Sequence, residues 1–447
     1  MESKSTRGNI VKSLLVFTTP LILSGMFQQI FNWVDAFIVG NTEGELALAG
    51  IGATTSLYNF FVTIIIGFTS GLSVLAAQLF GKGESEKLKS ILSSFSGVLG
   101  GIFLTAAVLA SLFTNEILVL LDTPANIFDA AKQYMQLLLI GIPFLAIYNL
   151  YSAVLRGLGN SRAPFLSVLI CSGINVFLDI LFVMVFRFGT AGAAAATAIS
   201  QAAMAIFIVL YAVRKYPVLR FGLKQQLCDK AILLQGIKFG FPPAIQAGMT
   251  SVGNIVLQRF MNGFGEQTVA AITTSYRVDS VILLPIVNFG SGIATIVAQN
   301  IGAGNKDRAQ KVLKTGIIMM AVISICLTFL VLLTGKNLIE MFGLTQESVQ
   351  IGKSFFNAIA SCYIIYGLAM AVRGYLEGTG DMLFSGVVGI IGLMIRIIAS
   401  YTFAFRFGNM VIAYAEMLSW IALLFLYCVR FLTKKNSRKK KPSVVSH

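Results

Sequence analysis

The chain has 447 residues, 56% hydrophobic and only 12% charged, with a formal net charge of +15. A soluble domain carries about 25% charged residues, so half that share, with apolar runs recurring to the end, excludes a water-soluble fold and describes a polytopic membrane protein. The positive excess is not a nucleic-acid footprint, because the basic residues sit in loops between apolar runs and in the tail, where they act as topology signals and contacts to anionic lipid.

An α-helix crosses about 30 Å of hydrocarbon in about 20 residues. On that measure the sequence predicts twelve spans, at 11–39, 46–80, 88–113, 127–155, 161–186, 191–213, 231–263, 267–301, 310–333, 347–376, 381–405 and 409–432. The first run is too long for a cleaved signal segment and lacks a small-residue cleavage site, so the mature chain is expected to begin near Met1. Loop charge orients the spans. Lys4, Arg7 and Lys12, then Lys82/Lys87/Lys89, Arg156/Arg162, Arg214/Lys215/Arg220 and Lys306/Arg308/Lys311 alternate with loops holding mostly acids, such as Glu43/Glu45, Glu116/Asp122 and Glu340/Glu347. Both termini are therefore expected to be cytoplasmic, with the protein in the cell membrane.

The first span sets the main problem. Pro20 to Gly40 is apolar, yet Gln28, Asn32 and Asp35 recur at helical spacing and form one polar stripe. A carboxylate within a bilayer costs about 2.5–3.5 kcal/mol on insertion scales and nearly always faces a protein interior or a wet cavity. Pro20 removes a backbone hydrogen bond and permits a kink, as do Pro143, Pro242, Pro243 and Pro285.

Further along, the chain repeats itself. SGLSVLAAQLFGKGESEKLK at 70–89 resembles SGIATIVAQNIGAGNKDRAQ at 291–310, an offset of 221; Pro20 matches Pro243 at 223, and FRFG at 186–189 matches FRFG at 405–408 at 219. The plan is thus two homologous halves of six spans. Six is even, so both halves enter from the same side, and the expected architecture is two six-helix bundles related by a pseudo-two-fold axis along the membrane normal. The expected division is an amino-terminal lobe at 1–213, a basic cytoplasmic linker at 214–230, a carboxyl-terminal lobe at 231–432 and a basic cytoplasmic tail at 433–447. Two such bundles suit alternating access around a central cavity.

Partners for Asp35 are sought in the fifth and sixth spans. Asn175 and Asp179 are i,i+4, as are Thr197 and Gln201. Counted from the span ends, Asp35, Asp179 and Thr197 all lie within roughly 12 Å of the outer surface. Two carboxyl groups at one site share a proton, and two carboxylates with an amide carbonyl and a hydroxyl make an oxygen cage for Na⁺. The competing reading is that each Asp only caps or bonds locally near a helix end. At the same offsets the second half places Gln258, Met394, Ile398 and Glu416 opposite Asp35, Asn175, Asp179 and Thr197. Its buried-looking charges, Arg277 and Asp279 among them, are expected to pair structurally, with Arg396 and Glu416 as an ion pair.

Other chemistry is poorly supplied. The only His is His447 and the five Cys are scattered, which removes His relays, catalytic triads and thiolate metal sites. The glycine-rich turns GKGES, RGLGNSR, GAGNKDR and EGTGD lack the GxxxxGK[ST] pattern and read as tight cytoplasmic turns. No enzyme, no cofactor beyond a coupling H⁺ or Na⁺, and no other metal is expected.

The duplicated plan, the Gln-x-x-Gly-x-Gly segment after spans two and eight, and the glycine turns after spans four and ten resemble the multidrug and toxic compound extrusion (MATE) family over about residues 10–430. The resemblance implies export of amphipathic, often cationic organic compounds in exchange for H⁺ or Na⁺. Within the family the chain looks closest to the bacterial and archaeal branch named after the DNA-damage-inducible F protein. That branch's amino-terminal-lobe site is matched by Asp35, Asn175, Asp179 and Thr197, and its bending proline by Pro20. The NorM and eukaryotic branches carry an acid in the seventh span, whereas nothing acidic lies here between Pro243 and Glu266. Gln28, Asn32 and Gln201 are candidates to line the substrate cavity. Expected partners are small organic molecules and membrane lipid, with no nucleic acid, and the chain is expected to act as a monomer. The alternatives are a flippase for a lipid-linked precursor, which wants a basic cavity, and a polytopic membrane enzyme or channel.

Overall fold

The computed structural model describes residues 6–43, 45–121, 123–220 and 229–439; the distal tail and the middle of the linker lie outside it. Among the described residues every regular element is helical. The first half comprises α1 (Ile10–Glu43), α2 (Glu45–Gly81), α3 (Glu86–Leu112) with the short α4 (Thr114–Leu120), α5 (Phe128–Ile140) and α6 (Ile142–Gly157), α7 (Arg162–Asp179) and α8 (Gly189–Lys215). The second comprises α9 (Lys230–Asn262), α10 (Glu266–Ile282) and α11 (Leu284–Gly302), α12 (Lys306–Glu340), α13 (Gln346–Ala360) and α14 (Tyr363–Gly378), α15 (Met382–Phe407) and α16 (Val411–Lys439).

Three expected spans are broken in two. Pro143 and Pro285 lie in the first turns of α6 and α11, where a missing N–H costs nothing, so they begin new helices instead of kinking old ones. α13 and α14 meet at 48°. By contrast α1 and α9 run unbroken through Pro20 and through Pro242 and Pro243. Among the described residues nine helical stretches are long and apolar enough to cross a membrane, ten with the bent pair; one of them, Met382–Asn436, contains both α15 and α16. Adding α9 gives the twelve expected.

The chain divides into two compact units. One is Leu15–Gly248; the other takes the described residues before Leu15 and those from Met249 onward. The changeover falls inside α1 and α9, not in the linker at 214–230. The reason for the second position lies in glycine. A methyl group on Gly71 would sit 2.0 Å from the Phe239 carbonyl oxygen, and one on Gly67 2.7 Å from that of Pro243. The first half of α9 therefore crosses α2 backbone to backbone and belongs to its packing.

The glycine-rich turns are helix stops of one design. Gly83, Gly159, Gly304 and Gly380 have φ of 80°, 84°, 77° and 89°. In each the next amide reaches back to the carbonyl five residues earlier, Glu84 to Leu79, Asn160 to Leu155, Asn305 to Asn300 and Asp381 to Leu376, at 2.8–3.0 Å. This left-handed cap closes a helix and satisfies its last carbonyls.

The residue after the turn glycine is used alike in both halves. Asn160 donates to the Tyr211 and Tyr216 hydroxyls at 3.2 and 3.0 Å, tying the turn to the end of α8. Asp381, 221 residues on, accepts from Arg430 Nε at 2.8 Å and pairs with Lys434 Nζ at 2.8 Å on α16. Arg430 lies 219 residues after Tyr211. Partial burial pushes the Asp381 carboxyl up, but the hydrogen bonds and charges of Arg430 and Lys434 outweigh it and hold the group below the usual carboxylate range. A depressed value means stabilisation that is present above the unfolded-state value of about 3.9 and is lost as pH falls through the folded one. Asp381→Asn should therefore lower the melting temperature of the purified protein at neutral pH. The gap to the wild type should close as the pH drops below about 3.9; a gap that persists unchanged in acid would show that charge is not its source.

Candidate ion-binding site

Within the first unit, the carboxyl-terminal half of α1 is held by an apolar patch. Ile38 and Val39 pack with Tyr134 and Leu138 of α5, Val183, and Ala193 and Ala194 of α8, with Val34 and Tyr58 against them. Earlier in α1 the Phe27 ring lies tilted against Phe165 of α7, ring centroids 6.0 Å apart. Asp35 lies one turn before Ile38 and Val39, shares their face and is half-buried, with its Oδ1 enclosed.

α7 brings Asn175 and Asp179, both fully buried. The helix then changes character. Ile180–Val185 forms a π-helical turn, and Arg187 follows with φ 57°. A π turn admits extra residues into a helix without breaking it, and such turns concentrate at functional sites. α8 is alanine-rich at its start, which lets it approach α7 closely. Across this contact Asn175 Nδ2 donates to Thr197 Oγ1 at 3.4 Å.

What remains is a set of oxygens. Asn175 Oδ1, both carboxylate oxygens of Asp179 and Oδ1 of Asp35 are buried and accept no hydrogen bond from the protein. Asp35 lies close enough to Asp179 for their charges to interact, and the Tyr134 hydroxyl is in range of both. The structure thus holds the four sequence-derived residues within the first unit, Asn175 bonded to Thr197 and Asp35 within electrostatic range of Asp179. Such a set of carboxylate, amide and hydroxyl oxygens fits a proton or a hard monovalent cation. Among the described residues no cluster of His, Cys, Asp and Glu suits a transition metal.

The other candidates fall elsewhere. Gln28 and Asn32 are exposed, and Asn32 Nδ2 reaches only Gln29 Oε1 at 3.4 Å. They share a helical stripe with Asp35, but the buried face of α1 runs beside them through Phe27 and Val34. Gln201 is buried, donates to the Tyr58 hydroxyl and packs so close to Gly141 that a methyl group there would lie 2.0 Å from Gln201 Oε1. It is therefore part of the wall behind the site and does not face an open cavity. Tyr58 and Tyr134 were not singled out from sequence; a tyrosine in an apolar span looks like packing until its neighbours are known.

The π turn also corrects the internal alignment. The offset between halves is 221 at the glycine turns and 219 at FRFG, and α15 runs to Phe407 as plain α-helix. The two surplus residues of the first half fall before Phe186, in the stretch that holds the π turn Ile180–Val185. Before that turn the offset is still 221, so Asn175 corresponds to Arg396 and Asp179 to Ser400, in place of Met394 and Ile398. The contacts agree: Asn175–Thr197 in one half matches Arg396–Glu416, at 3.2 Å, in the other.

Comparison with known proteins decides the family. The MatE family model matches residues 20–181 and 242–402, once per repeat and over more than half of the chain. The chain belongs to the MATE family. It is 28% identical to Probable multidrug resistance protein YpnP of Bacillus subtilis over 97% of both chains, and 28% identical to Probable multidrug resistance protein YoeA of the same organism over 87% of this chain and 86% of that one. Among solved structures, an outward-facing MATE-family multidrug resistance transporter of the MOP superfamily superposes with a TM-score of 0.90 at 18% identity, covering 99% of this chain and all of that one. A MATE protein in complex with MaL6 gives 0.91 at 18% identity over 98% and 99%. These likenesses establish the twelve-helix MATE fold. The protein is a multi-pass membrane transporter and not an enzyme.

Thr197→Val keeps the shape of that side chain but removes its acceptor. It should leave Asn175 Nδ2 buried without a partner, at a cost of about 1–3 kcal/mol. Chemical-denaturant unfolding in detergent should show the loss; Asn175→Leu, Thr197→Val together should recover part of it. An additive double variant would mean that the two side chains do not interact.

Proposed function

We propose that the protein exports amphipathic, often cationic organic compounds from the cytoplasm in antiport with a proton or Na⁺. Asp35, Asn175, Asp179 and Thr197 form the seat of the coupling ion. The observation that carries this reading is the group of buried, unpartnered oxygens on α1 and α7. Inside an apolar bundle two carboxyl groups within electrostatic reach of each other cannot both stay ionised without a compensating cation. They must take up a proton or Na⁺, and releasing it changes the charge of the site. An ion gradient can then drive a conformational change.

The export of drugs is supported by relatives. Besides the two Bacillus proteins, Multidrug export protein MepA of Staphylococcus aureus is 23% identical over 83% of this chain. In the mechanism access alternates, α1 bends at Pro20 to open the seat, and Gln28 and Asn32, exposed on α1, face the substrate. The chain works as a monomer in the cell membrane with both termini cytoplasmic. Gln201 has no direct substrate role in this scheme. A flippase for lipid-linked precursors is not favoured, because the polar centre of the first half is acidic.

Proteoliposomes with imposed pH and Na⁺ gradients and a panel of amphipathic cationic dyes test the proposal. Dye export should follow one of the two gradients, and Asp35→Asn or Asp179→Asn should each reduce coupled export at least about tenfold, the loss of a charged group that acts directly in coupling. Normal insertion and folding are expected in both. Undiminished export by both variants, or export indifferent to both gradients, would overturn the assignment.

A further inference from the structure

The carboxyl-terminal repeat contains a buried charged cluster that the mechanism above does not use. Asp279 on α10, Arg396 on α15 and Glu416 on α16 lie in the interior of the second unit. Arg396 Nη2 pairs with Glu416 Oε2 at 3.2 Å and donates to the Tyr276 hydroxyl at 2.7 Å. The Tyr363 hydroxyl donates to Asp279 Oδ1. Tyr276 rests edge-on against Phe355, and Trp420 stacks on Tyr366, so the walls are aromatic.

Its position is not arbitrary. With the alignment corrected at the π turn, Arg396 takes the place of Asn175, Glu416 that of Thr197 and Asp279 that of Tyr58. The first repeat has its ion seat there. The two repeats therefore build a buried polar site at the same place with different residues. This one draws on the eighth, eleventh and twelfth spans.

Counting charge gives it a function. Two carboxyl groups face one guanidinium. The remaining ionisable neighbours are Tyr276, Tyr363, Tyr366 and Tyr427, together with Arg373, whose charge is taken by Glu377 at 2.6 Å. One carboxylate thus lacks a counter-charge, and a buried uncompensated charge is strongly disfavoured. Beyond the ion pair between Glu416 Oε2 and Arg396 Nη2, neither Oε2 nor Arg396 Nε has a hydrogen-bond partner, so the network is not closed on itself. We propose that Asp279, Arg396 and Glu416 form a second ion-binding site, in which Arg396 is a tethered cation and the two carboxyl groups together hold one exchangeable proton.

Infrared difference spectroscopy of the full-length protein, on exchange from H₂O to D₂O at neutral pH, tests this without reference to efflux. The background is Asp35→Asn, Asp179→Asn, which removes the amino-terminal seat. The protonated-carboxyl stretch that shifts in D₂O should persist in this background and vanish when Asp279→Asn and Glu416→Gln are added. Arg396→Gln, which removes the tethered cation, should raise the band about twofold, since both carboxyl groups are then driven to the neutral form. A background protein without an exchangeable carboxyl band, or a band indifferent to all three substitutions, would overturn the proposal. If the fourfold variant does not fold, the Arg396→Gln intensity decides alone: no increase rejects the site. A merely structural ion pair would change the melting temperature and leave the band unmoved. Because dye export is not read, failure here is distinct from failure of the coupling seat.

Discussion

A polar oxygen inside a membrane bundle has no water to fall back on, and the structure is arranged around that constraint. Most buried polar groups solve it locally. Serine and threonine hydroxyls bond the carbonyl one turn back, as Thr69, Ser167 and Ser200 do at 2.7–2.8 Å. Asn149 and Asn300 do the same with their amides at 2.9 and 2.8 Å. Asp35 and Asp179 cannot, because a carboxylate only accepts and helix carbonyls offer no donor. Their enclosed oxygens are left without a hydrogen-bond partner, which sets them apart from the locally satisfied hydroxyls and amides.

Duplication supplies the second constraint. The same helix stops, with the same left-handed glycines, end corresponding helices in both halves, and Asn160 and Asp381, after the second stop of each half, tie their turns to its last helix. That scaffold fixes where polar groups come together, namely where the fifth span of a half meets the sixth and the second. It does not fix their chemistry. In the first half the position linked to Thr197 is an amide and in the second, linked to Glu416, it is a guanidinium. An amide contributes a donor and an acceptor without charge; a guanidinium contributes donors and a permanent charge. The same position thus carries no charge in the first half and a permanent positive charge in the second.

Much of this was legible in the sequence. Length and apolar runs gave the spans, the offset of 221 gave the repeat, depth counting put Asp35, Asp179 and Thr197 at one expected level, and helical spacing joined Asn175 to Asp179. The polar stripe on α1 gave the direction of Gln28 and Asn32 around the helix but not their exposure, because periodicity does not report how far the neighbouring wall extends. Tyr58 and Tyr134 were invisible because a tyrosine's hydroxyl matters only in relation to what stands opposite. The internal alignment went wrong by two residues over α15, since offset drift shows that residues were gained but not where. Only the π turn after Asp179 locates them, and with it Arg396 changes from one member of a structural ion pair to the counterpart of Asn175.

The π turn also distinguishes the halves mechanically. A π turn widens the helix and loosens its hydrogen-bond ladder, so the chain there is easier to rearrange than plain α-helix. It follows Asp179 directly, and Arg187 beyond it holds a left-handed conformation that a non-glycine residue adopts at a cost of about 1–2 kcal/mol. In the second half α15 passes its corresponding positions without interruption, and the left-handed residue is Gly408, where that conformation carries no steric penalty. Among the described residues, then, the π turn and the left-handed non-glycine residue both follow Asp179, while the stretch of α15 that carries Arg396 is plain α-helix.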